Sequence, residues 1–152
     1  MESISFEQAT DETLYIVMEM VNSNPEYNLL RHGKEAITLE EVKQEFINEH
    51  TKSLFIKLDD TYIGTINYLP MHPKDQCPWL NEFIIHRDYQ GFGFGSQSYE
   101  LFEKQLDIKK IRSGLVKNNL TGKHFLEIKG YELIYSFINQ GLEIDVYERL
   151  FS

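Results

Sequence analysis

The chain is short of cysteine, of proline and of positive charge, and each shortage narrows what it can be. A single cysteine, Cys77, in 152 residues excludes an internal disulfide and any cysteine-rich metal site. Its place in a loop, before Pro78, reads as an incidental thiol rather than a nucleophile. The five histidines (His32, His50, His72, His86 and His124) show no metal-ligand spacing, so no metal is expected. Only 15 lysines and arginines stand against 24 aspartates and glutamates, a net charge of −9. Nucleic acid and anionic membranes are therefore poor partners, and a cationic ligand such as an amine suits the surface better. No apolar run is long enough to span a bilayer. Met1 to Ser5 has neither the basic start nor the apolar stretch of a secretory leader, so the cytoplasm is the expected compartment. No repeat or Ser/Gly linker divides the sequence. Its length fits one domain over 1–152, with a core that needs no staples.

Periodicity supplies the elements. Ile4 to Ala9 reads as a short strand. A helix begins near Thr10-Asp11, with Leu14, Val17, Met18 and Val21 on one face, and Asn22-Ser23-Asn24-Pro25 breaks it. The polar stretch that follows, with Glu26, Tyr27, Arg31 and His32, has no clear period. Thr38-Leu39-Glu40-Glu41 has the capping-box pattern, and Leu39, Val42 and Phe46 continue at helical spacing to about Glu49. Leu54 to Leu58, the turn Asp59-Asp60 and Tyr62 to Leu69 read as a hairpin. Pro70, Pro73 and Pro78 punctuate a loop before a strand at Leu80 to His86. A helix from Gly95 turns Tyr99, Phe102 and Leu106 inward. Ile111 to Val116 is the next strand, Leu120 to Lys129 a helix stopped by Gly130, and Leu133 to Ile138 with Leu142 to Tyr147 a closing hairpin. The order β-α-α-β-β-β-α-β-α-β-β indicates an α/β fold, a mixed and mostly antiparallel twisted sheet flanked by helices.

One stretch carries chemistry. Leu80 to Ser96 runs from an apolar strand through a polar connection into a glycine-rich turn, Gln90-Gly91-Phe92-Gly93-Phe94-Gly95-Ser96, that opens directly into a helix. A helix N-terminus emerging from such a turn presents unpaired N–H groups and the positive end of a helix dipole, a site for phosphate or pyrophosphate. A Walker loop would need Lys and Ser or Thr after its last glycine, and Ser96-Gln97 follows here. A dinucleotide fingerprint would need glycine at 96 and an acid about twenty positions on, where Lys109-Lys110-Ile111-Arg112 stands. A kinase loop would lie between two strands.

The pattern Gln-x-x-Gly-x-Gly at Gln90 to Gly95 resembles the pyrophosphate loop of the GNAT superfamily of acyl-CoA-dependent N-acetyltransferases. Ile85-His86-Arg87-Asp88-Tyr89 is similar to that family's approach to the loop, with Arg87 where proline is common. Asn119 to Tyr131 resembles the family's later segment, an Asn opening a helix that closes at Gly-Tyr. The two matches come in the family's order and cover roughly the C-terminal half of the chain.

The resemblance implies acetyl transfer from acetyl-CoA, as cosubstrate, directly to the amine of a small molecule or peptide. Backbone N–H groups from Gly91 through Phe92, Gly93, Phe94 and Gly95 to Ser96 would hold the pyrophosphate, with Gln90 shaping the turn; Phe94 reads as core and Phe92 as exposed. Strand Phe83-Ile84-Ile85 would pair with the pantetheine arm. Asn119 would bond the pantetheine or cap its helix, or both. Glu82 is the candidate general base, a carboxylate flanked by Phe83 and Trp79, with a salt-bridged or solvated surface carboxylate as the alternative. Asn81 could bind the amine or hold a water. Strand alternation puts Asn81 and Glu82 on opposite faces, so both reach the substrate only if the strand bulges. Leu126 stands where the family often carries a Tyr as general acid, and Tyr131 reads as a core aromatic. Tyr27, Tyr68, His72 and Trp79 come from segments that usually line the acceptor pocket. The family's sheets often pair as homodimers, but nothing here specifies an interface. Two alternatives stay open: a non-catalytic acyl-CoA sensor on the same fold, and a nucleotide-binding domain using the same loop. The identity of the amine does not follow from the sequence.

Overall fold

A computed structural model describes residues 3–151, so the leader reading at Met1 and Glu2 falls outside the described residues. In chain order the elements are β1 (Ile4–Gln8), α1 (Leu14–Asn22), α2 (Pro25–His32), α3 (Leu39–Phe46), β2 (Lys52–Leu58), β3 (Thr61–Leu69), β4 (Trp79–Ile85), α4 (Phe94–Gln105), β5 (Lys110–Val116), α5 (Leu120–Ile128), β6 (Glu132–Asn139) and β7 (Leu142–Leu150). The strands form one sheet in the order β1-β2-β3-β4-β5-β7-β6. Helices pack on both faces. Val17, Val21, Val42, Phe46, Phe55 and Ile84 are buried under α1 and α3. On the other face Ile66, Leu80, Tyr99, Phe102, Ile111 and Leu126 are buried under α4 and α5.

The α/β sheet matches the expected order except for one added helix. Pro25 to His32, aperiodic in sequence, forms α2, with proline in its first turn and Gly33 left-handed at its end, φ +75°. Its period is hidden because the residue it buries is polar: Asn28 is fully buried and donates to the carbonyls of Val21 and Glu35. Pro25 thus opens a second helix as well as ending the first. The capping box forms at Thr38 as expected, Glu41 N–H donating to Thr38 Oγ1 at 3.2 Å.

Two irregularities position the site. All strand pairs are antiparallel except β4–β5, and these two touch only at Trp79–Arg112 and Leu80–Ser113 before diverging. From Asn81 onward that edge of β4 has no strand neighbour among the described residues. On the opposite side, β3 pairs Asn67 with Glu82 but Tyr68 with Leu80, which leaves Asn81 as a bulge. A bulge bends its strand and re-aims the side chains around it. It falls one residue past the last β4–β5 pair, where the two strands part.

Candidate active site

The parting strands open a cleft of about 580 Å³, a volume in the range that holds small ligands. Leu80 to Ile85 form one wall, Asn119, Phe125 and Leu126 another, and Tyr27 and Leu30 of α2 close the far side.

At one end lies the glycine turn. Gly91 and Gly93 have φ of +86° and +85°, values that side chains rarely adopt. Above Gly91 a Cβ would meet nothing within 4 Å, and above Gly93 only Gln97 Nε2 at 3.9 Å. Gly93 is the N-cap of α4, and the first helical bond runs from Gln97 N–H to its carbonyl. Among the described residues, nothing accepts a hydrogen bond from the N–H groups of residues 91–96. Gln90 does shape the turn: its Nε2 donates to Asn24 Oδ1 (2.6 Å) and to the Ile85 carbonyl (2.8 Å), tying the loop to β4 and to the α1–α2 junction. Phe92 is exposed and Phe94 packs against the core. Of the turn, Gln90, Gly91 and Gly95 line the cleft. Lys129, from the end of α5, brings its ammonium within 2.5 Å of Ser96 Oγ.

Across β4 lies the carboxylate cluster. Glu82 is fully buried, which removes the solvated-surface reading. Its neighbours are not Phe83 and Trp79 but residues of α2 and α3. Arg31 Nε stands 3.1 Å from Glu82 Oε1, and the Tyr27 hydroxyl donates to the same oxygen at 3.2 Å. Arg31 also reaches Glu45 Oε1 at 2.5 Å and donates to the bulged Asn81 carbonyl at 3.3 Å. One guanidinium therefore serves two carboxylates and pins the bulge. Burial pushes the Glu82 carboxyl up to about 8; Arg31 opposes the rise, and Glu45 adds to it by its charge and by hydrogen bonding. Burial together with Glu82 raises the Tyr27 hydroxyl as well, so it stays protonated. The fold also brings His32, Glu45 and Glu82 within 4.8 Å of one another, a grouping that no sequence spacing indicates. The cation among the carboxylates is Arg31.

Because of the bulge, Asn81 and Glu82 can both turn toward α3. Asn81 Nδ2 donates to Asn67 Oδ1 at 2.9 Å, and Asn67 in turn donates to the Glu45 carbonyl. Phe83 faces the other way, stacked on Phe125 at 5.7 Å. Asn119 caps α5, its Oδ1 accepting from Gly122 N–H at 2.9 Å, and it lines the cleft as well. Leu126 is buried in the cleft wall. Tyr131 is buried with its hydroxyl 2.6 Å from that of Tyr99, a core position. Of the four expected acceptor-side residues only Tyr27 lines the cleft. Tyr68 packs on Phe102, and His72 stacks with Trp79. Sequence reasoning missed the roles of Arg31 and Glu45, and Glu45 carries no local signal of its role. The proline-to-glycine punctuation of α2, with Tyr27 and Arg31 one turn apart, is the signal that could have found the first.

Comparison with known proteins gives the class of this arrangement. The chain is an acyltransferase: a family model for the acetyltransferase (GNAT) family matches residues 15–131, and the chain belongs to that family. An acetyltransferase from Thermus thermophilus superposes with a TM-score of 0.81 at 20% identity, over 98% of this chain and 97% of that one. A domain from Methanocaldococcus jannaschii gives 0.78 at 22% identity, with 99% of both chains covered. The RimL ribosomal L7/L12 alpha-N-protein acetyltransferase, solved in complex with coenzyme A, gives 0.75 at 13% identity over 97% and 94%. At these identities the likeness is one of fold. Among curated proteins, none matches the chain.

Proposed function

We propose that the chain, as one domain over 1–152, transfers the acetyl group of acetyl-CoA directly to a primary amine of a small molecule or peptide, with Glu82 as general base. The observation that carries this reading is a buried carboxylate on the strand bordering the cleft, joined to the cleft by the Tyr27 hydroxyl.

The donor half of the cleft suits coenzyme A. Six N–H groups without acceptors among the described residues, with open space over Gly91 and Gly93, would hold a pyrophosphate. Past the last β4–β5 pair, the stretch Phe83, Ile84 and Ile85 would run beside the pantetheine arm, with the Ile85 carbonyl already accepting from Gln90. Asn119 Nδ2 has no acceptor among the described residues and is available to the same arm. Acetyl-CoA supplies the acyl group already activated as a thioester.

In the acceptor half Glu26 is paired with Arg87 at the rim, and Glu82 stands behind Tyr27. As the amine attacks, its proton passes to the Tyr27 oxygen while the Tyr27 proton passes to Glu82 Oε1. Glu82 begins as carboxylate and ends as acid, and the proton leaves by the same hydroxyl to the departing thiolate or to water. Leu126 supplies no acid, which a thiolate leaving group tolerates. Arg31 holds Glu82 in place and Glu45 keeps it basic.

The test is Glu82→Gln, which keeps shape and removes the proton acceptor. Turnover should fall roughly a hundred-fold or more with little change in acetyl-CoA affinity, and the acidic limb of the rate profile should vanish. Near-normal turnover with the limb unchanged would remove Glu82 from the chemistry and leave a water held by Asn81 as the base. Tight coenzyme A binding without turnover on any amine would favour the sensor alternative.

A further inference from the structure

Arg31 satisfies only part of the carboxylate cluster behind the cleft. It donates to Glu45 Oε1 and stands against Glu82 Oε1. Glu82 Oε2 has no hydrogen-bond partner among the described residues, although the side chain has no exposed surface. His32 Nε2 is likewise buried without a partner, and Glu45 Oε2 lies 4.0 Å from it. His32 ends α2, Glu45 belongs to α3 and Glu82 to β4, and each offers a ligand atom within 4.8 Å of the other two. Two carboxylates this close are stable together only with a proton or a cation between them. The sequence expectation of no metal rested on spacing along the chain, and these three residues meet only in the fold.

We propose that His32, Glu45 and Glu82 bind a zinc ion, and that this ion switches the acetyl transfer off. An imidazole and two carboxylates are donors of the kind that hold zinc in three-ligand sites, whereas magnesium and calcium want oxygen alone and more of it. Two carboxylates also match the charge of a divalent ion. Bonds of about 2.0–2.1 Å at tetrahedral angles set ligand atoms about 3.3 Å apart, so the three atoms need to close by no more than about 1.5 Å. His32 and Glu45 are both about one-fifth exposed and have room to turn inward. Arg31, bonded to the other oxygens, orients the two carboxylates as hydrogen-bond partners behind metal ligands do. Its own charge opposes the ion, so the site suits an ion that comes and goes rather than a resident one. Neither His32 nor Glu45 lines the cleft, so the ion enters from the outer surface while donor and amine keep their places. A Glu82 carboxylate held by zinc no longer takes the Tyr27 proton. The inhibition, though not the binding, rests on the reading of Glu82 as the base.

Binding is tested on the full chain without any amine. Cobalt(II), a coloured stand-in for zinc, should give a visible absorption band that saturates at one ion per chain and that zinc abolishes. His32→Ala should lose the band with an unchanged circular dichroism spectrum, and His32→Cys, which keeps a ligand atom, should retain one. In turnover assays each protein is compared with its own rate in a chelator. Zinc should then inhibit the wild type without weakening acetyl-CoA binding, and the half-inhibiting zinc concentration should rise roughly a hundred-fold in His32→Ala. A wild-type chain that binds neither ion overturns the proposal. A band that survives His32→Ala overturns it as well, because the ion would then sit elsewhere. A His32-dependent band with turnover untouched by saturating zinc keeps the metal site and removes Glu82 from the chemistry.

Discussion

Replacing Glu45 by Gln should make the enzyme faster at neutral pH. Glu45 does not line the cleft; it acts on Glu82 through space and through Arg31. Its carboxylate lies within 4.8 Å of that of Glu82. At that separation two charges repel by about 3.5 kcal/mol for an effective dielectric of about 20. Glu45 is one-fifth exposed, so solvent screens part of this and about one pKa unit is a fair allowance. The glutamine also cannot accept from protonated Glu82 as strongly as a carboxylate does. Both effects lower the proton affinity of Glu82. A base must be ionised to work, so a carboxyl titrating near 8 makes the rate climb with pH through that value. Moving it down by about one unit raises the ionised fraction at neutral pH roughly fivefold, and the weaker base gives part of that back, leaving about a two- to fivefold gain. The assay is the initial rate of thiol release against pH, wild type and variant on the same amine, so that ionisation of the amine cancels in the ratio. An acidic limb at the same pH in both proteins, with turnover retained, would show that the limb does not belong to Glu82.

Two further substitutions test the donor end and the sheet. Gly93→Glu fills the space over the turn and sets a negative charge there, so acetyl-CoA should no longer protect the fold, whereas wild type at a hundred times its dissociation constant should gain about 2.7 kcal/mol. A folded Gly93→Glu protein with wild-type affinity would move the pyrophosphate site elsewhere. Gly64→Ala should destabilise the fold by about 3 kcal/mol in chemical denaturation, because its Cβ would stand 2.3 Å from the Ile84 carbonyl oxygen and force β3 from β4. A loss below about 1 kcal/mol would mean that the two strands are not held at that distance.

The parts of the molecule that were legible in sequence are those in which one segment determines its own geometry. Alternation gave β2, β3 and β4, and Asn139-Gln140-Gly141 gave the turn of the last hairpin, where Gln140 and Gly141 both take positive φ. The glycine turn was readable because strand, turn and helix follow one another without a break, and the groups proposed to bind there are backbone N–H groups whose positions the glycines largely set. Helix α2 was not readable, because periodicity reports apolar burial and the residue that α2 buries is Asn28. Nor was the bulge at Asn81, since the run Leu80 to Ile85 keeps an ordinary strand pattern while β3 slips by one residue against it.

The same division runs through the site. What would hold the donor is mostly main chain: N–H groups of a turn and the edge of a strand. Main-chain groups tolerate wide changes of side chain, and the Thermus acetyltransferase shares the fold at 20% identity. What would act on the acceptor is side chain. Glu82 is visible in the sequence as a carboxylate on the right strand, but its proton affinity is set by Tyr27, Arg31 and Glu45, which lie 37 to 55 positions away along the chain. Burial alone would make Glu82 a neutral acid, and Arg31 alone would make it a weak base. Only the two together, with Glu45 opposing Arg31, leave a carboxyl that changes state near neutral pH. With Glu82 as the proposed base, substitutions in α2 and α3 would retune it, and with it the amines that react, without touching a residue proposed to bind the donor.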